Sequence, residues 1–555
     1  MPGTIGTPDH RAKLAFEPLL VIMAVALAAL IPTFFLGNVS GHDFEFHLNS
    51  WMEVQQQWSL GIWHPYWAGL AHYGYGEPRF LFYPPASWTL GAALGEFLRW
   101  KYVPDAFIWI ALTLSGCSMF LLARRFMSRA DATFAAAFYA VNPYYLVVIY
   151  WRSALAELLA GALLPLLLLC VLDSERKKGH IIAPLSLVLA GAWLTNIPAA
   201  VMTHFSFALL IAIMAWKKRS PKLLLYGTLA VVLGITLASF YLGPAIYQQR
   251  WIDVSQVFAP GVRPEDNFLF TRIHDVDHDN FNRLMSWLAV LELSAVASFL
   301  FFRRKRADKT LLRALLSGWS LLCLLCMLRI SNPAWNHLPF FQYAQIPWRW
   351  LSCLGVSLCL LLPLALKRWW KRLVVCGVII LVLPLMNRTV QNVWWDTAAD
   401  INEMQDNQQT GLGYEGAEEY VPRTAEGADI KPGAPLVTLV GDSQGQITLG
   451  KWLAESGDFT VSCDTPIAVE VRLFRYRGWN VEVNGEPKSH WLGPDNGEMM
   501  IPLQAGVNHV HVFFSPTWDV KAGALISFCG VLAWIALILW RWGWYQETEA
   551  EAVSA

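Results

Sequence analysis

Over most of this chain, apolar positions come in unbroken runs rather than at a helical or strand period. A helix crossing about 30 Å of hydrocarbon needs roughly 20 apolar residues. Runs of that kind lie near 15–36, 103–124, 132–150, 153–173, 180–196, 198–216, 222–244, 284–302, 310–329, 347–366, 371–388 and 521–541, which predicts about twelve membrane-spanning helices. A shorter run at 86–99 is read as a juxtamembrane helix in the interface, with the Trp88 and Trp100 rings near the headgroups. From 389 to 519 the pattern changes: Ile467–Phe474 and Val507–Phe514 alternate apolar with polar, and Gly, Pro and Asn turns separate such strings. Period-two alternation predicts strands and a small β-sandwich. The expected fold is an α-helical polytopic membrane protein with an added β-sandwich. It divides into a transmembrane domain 1–388, a sandwich 389–519, and a last helix with a short tail, 520–555.

Composition agrees with that pattern. Of 555 residues 55% are hydrophobic and 15% charged, where a soluble chain carries about a quarter charged. Lys+Arg and Asp+Glu balance at 42 each, which leaves no basic excess for nucleic acid. The basic residues cluster as Arg124/Arg125/Arg129, Arg176/Lys177/Lys178, Lys217/Lys218/Arg219, Arg303/Arg304/Lys305/Arg306 and Lys367/Arg368/Lys371/Arg372, in alternate short loops. Such clusters stay cytoplasmic, so both termini are expected inside and the polar loops outside, in a bacterial inner membrane. The run Leu19–Leu36 is too long for a signal h-region and reads as a retained first span. Of nine cysteines only Cys463 lies outside the apolar runs, so no disulfide framework is expected; Cys323 and Cys326 read as membrane packing.

The candidate chemistry lies in the outer loops. The first opens with Gly41-His42-Asp43-Phe44-Glu45-Phe46-His47 directly after the first span. In an extended segment Asp43, Glu45 and His47 share one side; in a helix Asp43 and His47 stack and Glu45 points away. Either arrangement could hold a divalent cation or orient a general base. Asp43 is equally suited to cap an interfacial helix running to about Leu60. Trp63-His64-Pro65, the run His72 to Pro78, and Phe82-Tyr83-Pro84-Pro85 make a rigid aromatic surface, suited to stacking on sugars or to sitting among headgroups. Arg152 and Glu157 would stand about 140° apart on one helix, each free to face a different partner. Gln345-Ile346-Pro347-Trp348-Arg349 opens a span at its outer end, where a guanidinium can fork onto a phosphate. The Asp275-x-Asp277-x-Asp279 string lacks the later residues of a calcium loop and reads as a solvated mobile loop, with a looser metal or acceptor site as the alternative. Trp479, before the Asn484-Gly485 hairpin turn, reads as a sandwich core residue.

These motifs resemble bacterial membrane proteins labelled 6-pyruvoyl-tetrahydropterin synthase-related, and through them the GT-C superfamily of integral-membrane glycosyltransferases. The resemblance rests on His42-Asp43…His47, Gly74-x-Gly76…Tyr83-Pro84-Pro85, Asn142-Pro143-Tyr144…Arg152…Glu157, Gln345-Ile346-Pro347-Trp348-Arg349 and Glu419-Tyr420-x-Pro422, and covers most of the chain. The pterin label implies little, because that enzyme is soluble and holds zinc with histidines. By the resemblance Asp43 matches the acidic residue that contacts the acceptor and acts as base, and Glu157 the second acidic position. Arg349 is placed to hold the phosphate of a polyprenyl-phosphate sugar donor. Glu45, His47, His72, Tyr83, Arg152 and Gln345 are the further substrate-binding candidates. The expected activity is inverting transfer of a sugar to an envelope glycan, lipid or protein acceptor, without a cofactor beyond the divalent cation that Asp43 and His47 could hold. The alternative is a membrane protein that binds or transports such glycans without catalysis. A proton-coupled transporter predicts charges near mid-span, and few are found there.

Overall fold

The computed structural model describes residues 8–302, 310–390, 394–425, 427–493 and 497–554. Among these, ten helices are long and apolar enough to cross a membrane, and the pair Lys222–Leu237 and Ser239–Trp251, bent by 75°, makes an eleventh candidate. The run expected at 180–196 forms an apolar helix, Gly179–Thr195, too short to be counted with them. Polar caps set several boundaries. The Asn196 side chain accepts from Ala199 N, with Pro198 in the first turn of Ile197–Lys218. Ser128 opens Arg129–Ala140 by accepting from Asp131 N.

The basic clusters meet at one end of the bundle. Arg125 and Lys177 both pair with Asp173 (2.8 and 2.9 Å), Lys218 with Glu175 at 2.6 Å, and Arg372 with Asp131. Arg129 reaches Glu17 at 3.6 Å, which sets the start of the first span at that same end. The cluster Arg303/Arg304/Lys305/Arg306 lies outside the described residues.

At the opposite end the first loop folds back as a helix, Phe44–Ser59, packed against the helix Pro85–Gly95. The loop is pinned to the far end of the chain. Strand β1 (Asn38–Val39) pairs antiparallel with β2 (Trp395–Asp396), and Ser40 N donates to Trp394 O at 2.9 Å. Trp88 and Trp100 are not at the headgroups: both are buried, at 2% and 8% exposure. The Phe44–Ser59 helix covers the Pro85–Gly95 helix that carries Trp88, and Gly91 allows the Trp51 ring to press against its backbone.

The sandwich is built from β3 (Val437–Leu439), β4 (Gln446–Leu453), β5 (Ser456–Cys463), β6 (Ile467–Phe474), β7 (Trp479–Val483), β8 (Glu486–Lys488), β9 (Trp491–Leu492), β10 (Glu498–Leu503) and β11 (Gly506–Phe514). They form two antiparallel sheets, ordered β3-β6-β10-β9 and β4-β5-β11-β7-β8. Asn484 and Gly485 both take positive φ (54° and 81°), the geometry of the tight β7–β8 hairpin. Trp479 is buried in this core, and the core continues into the first loop through Trp67, Tyr75 and Phe82. The sandwich therefore sits directly on the loop that carries Asp43. Residues 394–425 touch both, with Tyr73 N donating to Tyr414 O at 3.0 Å and Thr424 Oγ1 to Arg475 O at 3.4 Å.

Candidate functional site

Asp43 stands at the N-cap of Phe44–Ser59, but its side chain makes no capping bond. The carboxylate instead meets His42 Nδ1 at 2.8 Å and keeps 29% of its side chain accessible. Its backbone N–H donates to Arg152 O at 3.1 Å. That approach needs Gly41, since a Cβ there would fall 2.5 Å from the Arg152 carbonyl carbon. Burial opposes ionisation of Asp43, yet the His42 bond and the His42 and Arg152 charges outweigh it and hold the carboxyl far below the usual range. The same bond and charge raise His42.

The chain after Arg129–Ala140 is irregular, and that irregularity builds the second half of the site. Asn142 caps Pro143–Val147, a π turn follows over Val148–Arg152, and Ser153 takes the left-handed conformation at φ 51°. Ser153 Oγ donates to Val39 O at 2.6 Å, tying this kink to the first loop. The break turns Arg152 back, so the expected separation from Glu157 is wrong: Arg152 Nη1 donates to Glu157 Oε2 at 2.8 Å. Helical spacing does not apply across a π turn and a left-handed residue. Arg349, from the 3-10 turn Pro347–Trp350, brings its Nε within 3.1 Å of the same Glu157 oxygen. Tyr144 OH donates to the other oxygen, and the Arg152 guanidinium lies over the Trp348 ring at 5.0 Å. Arg152, Glu157 and Arg349 are 8%, 4% and 6% exposed. Gln345, at φ 59°, accepts from Arg349 Nη1.

Asp43, the Arg152–Glu157 pair and Arg349 thus converge from three distant segments. Both arginines lie within electrostatic reach of Asp43 as well as of Glu157. Tyr83 joins them: it packs edge-on to Phe46 at 4.8 Å, and its hydroxyl lies within reach of Asp43, Arg349 and Glu419. Burial, then the Asp43 charge, raises Tyr83 well above its ordinary value, so it remains a neutral hydroxyl. Glu419 faces Asp43 from the segment beneath the sandwich, and burial raises its carboxyl.

Three expected residues fall elsewhere. Glu45 points away from Asp43 into solvent, as a helix dictates. His72 is buried and bonds Glu77 Oε2 at 2.8 Å, where it supports the loop. His47 is 1% exposed with both ring nitrogens unpartnered, and burial lowers it to about 4. Its ring therefore does not bond Asp43, and among the described residues no group of three or more His, Cys, Asp or Glu side chains is placed to hold a metal ion. Asp43 and His47 alone do not fit a metal centre. The acidic string at 275–279 is solvent-exposed at Asp275 and Asp277 and opens a helix: Asp275 Oδ1 accepts from His278 N and Asp279 Oδ1 from Ile273 N.

Behind the site lies a second polar network that the sequence reading missed. Glu53 accepts from Tyr414 OH at 2.5 Å, Arg79 joins Glu77 and Ser50, and Ala417 N donates to Glu77 at 2.9 Å. Asn49, Glu53 and Gln57 form a stripe at i, i+4, i+8 that resembles a solvated helix face. It is instead covered by residues 398–417, with Gln408 Nε2 on Asn49 Oδ1 at 2.9 Å. The stripe was the available signal, and its cover comes from 359 residues away in sequence.

Comparison with known proteins adds the following. A family model described as a 6-pyruvoyl-tetrahydropterin synthase related domain, a membrane protein, matches residues 80–394. No curated protein matches the chain. Among solved structures, the apo oligosaccharyltransferase of Archaeoglobus fulgidus is similar at 12% identity and a TM-score of 0.39, over 73% of this chain and 61% of that one. Arabinofuranosyltransferase AftD from mycobacteria is similar at 14% identity and a TM-score of 0.44, over 68% of this chain and 27% of that one. The chain spans less than two thirds of either neighbour's length.

Proposed function

This chain belongs to the 6-pyruvoyl-tetrahydropterin synthase related family of membrane proteins, and we propose that it is a glycosyltransferase, moving a sugar from a polyprenyl-phosphate-linked donor to an envelope acceptor on the outer face of a bacterial inner membrane. The observation that carries this reading is the meeting of an accessible, ionised Asp43 with Arg152 and Arg349 around one buried carboxylate. Two guanidiniums at the outer end of their spans suit a lipid-linked phosphate, which lies at that depth and is matched by the planar fork of arginine. Glu157, saturated by both arginines and Tyr144, is assigned here as the residue that positions them and not as the base. Its withdrawal toward Tyr144 would free guanidinium donors for the phosphate. Asp43 would accept the acceptor hydroxyl's proton as the new glycosidic bond forms on the face opposite the departing phosphate, inverting the anomeric carbon. Tyr83 and Glu419, facing Asp43, would orient the acceptor.

One observation favours the non-catalytic alternative. A carboxylate held as strongly ionised as Asp43 is a weak base. It would serve a protein that only binds lipid-linked or envelope glycans. The two readings separate in one experiment on the full chain in nanodiscs. With polyprenyl-phosphate sugar as donor, D43N is expected to lose at least a hundredfold in turnover while retaining donor binding, and R349A to lose donor binding. Wild-type turnover in both variants overturns the assignment. Donor binding without turnover by the wild type selects the binding protein.

A further inference from the structure

Away from that site, the bent helix Ser239–Trp251 meets the sandwich and the last span, and there two guanidiniums share one pair of rings. Arg250 lies 4.0 Å from the centroid of Tyr247 and 4.7 Å from that of Trp251. Arg477, from the turn leading into β7, lies 4.1 Å from Trp251 and 5.9 Å from Tyr247. Tyr247 in turn meets the Trp518 ring edge-on at 4.8 Å, and Trp518 is the first residue of the span Trp518–Leu539. The two cations therefore sit at the depth where that helix enters the membrane.

Little in the protein neutralises them. Asp519 is buried nearby and accepts from Gln248 Nε2 at 2.6 Å, but it forms no ion pair with either arginine. Among the described residues no carboxylate is within ion-pair distance of Arg250 or Arg477. Arg250 spends its Nε–H on Tyr247 O at 2.9 Å, which leaves its two terminal nitrogens for another acceptor. Lys521, exposed and one turn beyond Trp518, adds a third cation on the neighbouring helix face. Ring faces hold such cations in place by cation–π attraction, but they supply no hydrogen-bond acceptor in the guanidinium plane. Beside the charges, Trp518 and Ile246 are 59% and 52% exposed. A soluble anion would leave that apolar surface uncovered, whereas the glycerol and acyl chains of a lipid would cover it.

We propose that Arg250 and Arg477, assisted by Lys521, bind the phosphate of an anionic phospholipid headgroup where the sandwich meets the membrane. The lipid would brace the bent helix against β7 and the last span, a role independent of any glycosyl transfer.

The test uses the full chain, purified with phosphatidylglycerol or phosphatidylcholine and examined by native mass spectrometry. The wild type is expected to retain one phosphatidylglycerol that phosphatidylcholine does not replace and that millimolar inorganic phosphate does not strip. In R250Q/R477Q that retention should weaken about thirtyfold, the weight of two interfacial cations. R250K/R477K, which keeps the charges without the forks, should restore most of it and also controls for folding. Equal retention by wild type and R250Q/R477Q, equal retention of the zwitterionic lipid, or displacement by inorganic phosphate overturns the proposal.

Discussion

Burial beneath the segment that carries Tyr414 pushes the Glu53 carboxyl up to about 7, against the Tyr414 hydroxyl and the Arg79 charge, which favour ionisation. The folded protein then holds a proton on Glu53 that the unfolded chain releases near pH 4.5. The stability from this group is complete below that pH and is lost as pH rises through about 7. His47 runs the other way: lowered to about 4 from 6.5, it contributes above 6.5 and loses as pH falls toward 4. The difference between wild type and E53Q isolates Glu53. Between pH 5 and pH 8 the wild type should lose on the order of 3 kcal/mol relative to E53Q, read as Tm in detergent at both pH values. Parallel Tm profiles would remove Glu53 from this account. Arg152 and Glu157 give the same lesson about single residues. Both stood out as charges at span ends, but their pairing depends on backbone angles at Val148–Ser153 that no residue type there announces.

Among the elements, the π turn and Ser153 decide the site. A left-handed residue costs more when β-branched, and Ser153 also contributes its hydroxyl to Val39 O. S153A loses only the bond, while S153V loses the bond and adds backbone strain. The expected order of Tm is therefore wild type above S153A above S153V, with S153V lower than S153A by about 1–3 kcal/mol. S153V should also weaken donor binding, because Arg152 is the preceding residue. If S153A and S153V melt together, backbone strain is not what shapes the turn. Elements with strong local signals were legible beforehand. The strand Ile467–Phe474 stands where alternation placed it, and Asn484-Gly485 makes the hairpin turn. The helix after Asp43 ends at Ser59, one residue short of the expected limit. The helix Pro85–Gly95 misled because an apolar run has the same composition under a protein cover as under lipid.

For the whole molecule, the ion pairs of Asp173, Glu175, Asp131 and Glu17 gather the described basic loops at one end, while Asp43, Arg349 and the sandwich share the other. By the positive-inside rule the basic end is expected to be the cytoplasmic one. Cysteines introduced at the exposed positions Asn480 and Arg219 test this in intact cells. A membrane-impermeant maleimide should label N480C directly and R219C only after permeabilisation. The reverse pattern would invert the orientation and move the site to the cytoplasm.

By itself the sequence determined which segments form long apolar helices, where the strand Ile467–Phe474 lies, and that Asp43 starts a helix. All of these follow from local quantities: transfer of apolar side chains from water and the period of one element. Only the tertiary structure decided that Glu157 clamps Arg152 and Arg349, that His47 and His72 are enclosed, and that the Asn49–Glu53–Gln57 stripe faces protein. Those outcomes depend on one irregular turn and on contacts across hundreds of residues, and neither leaves a periodic trace in the chain.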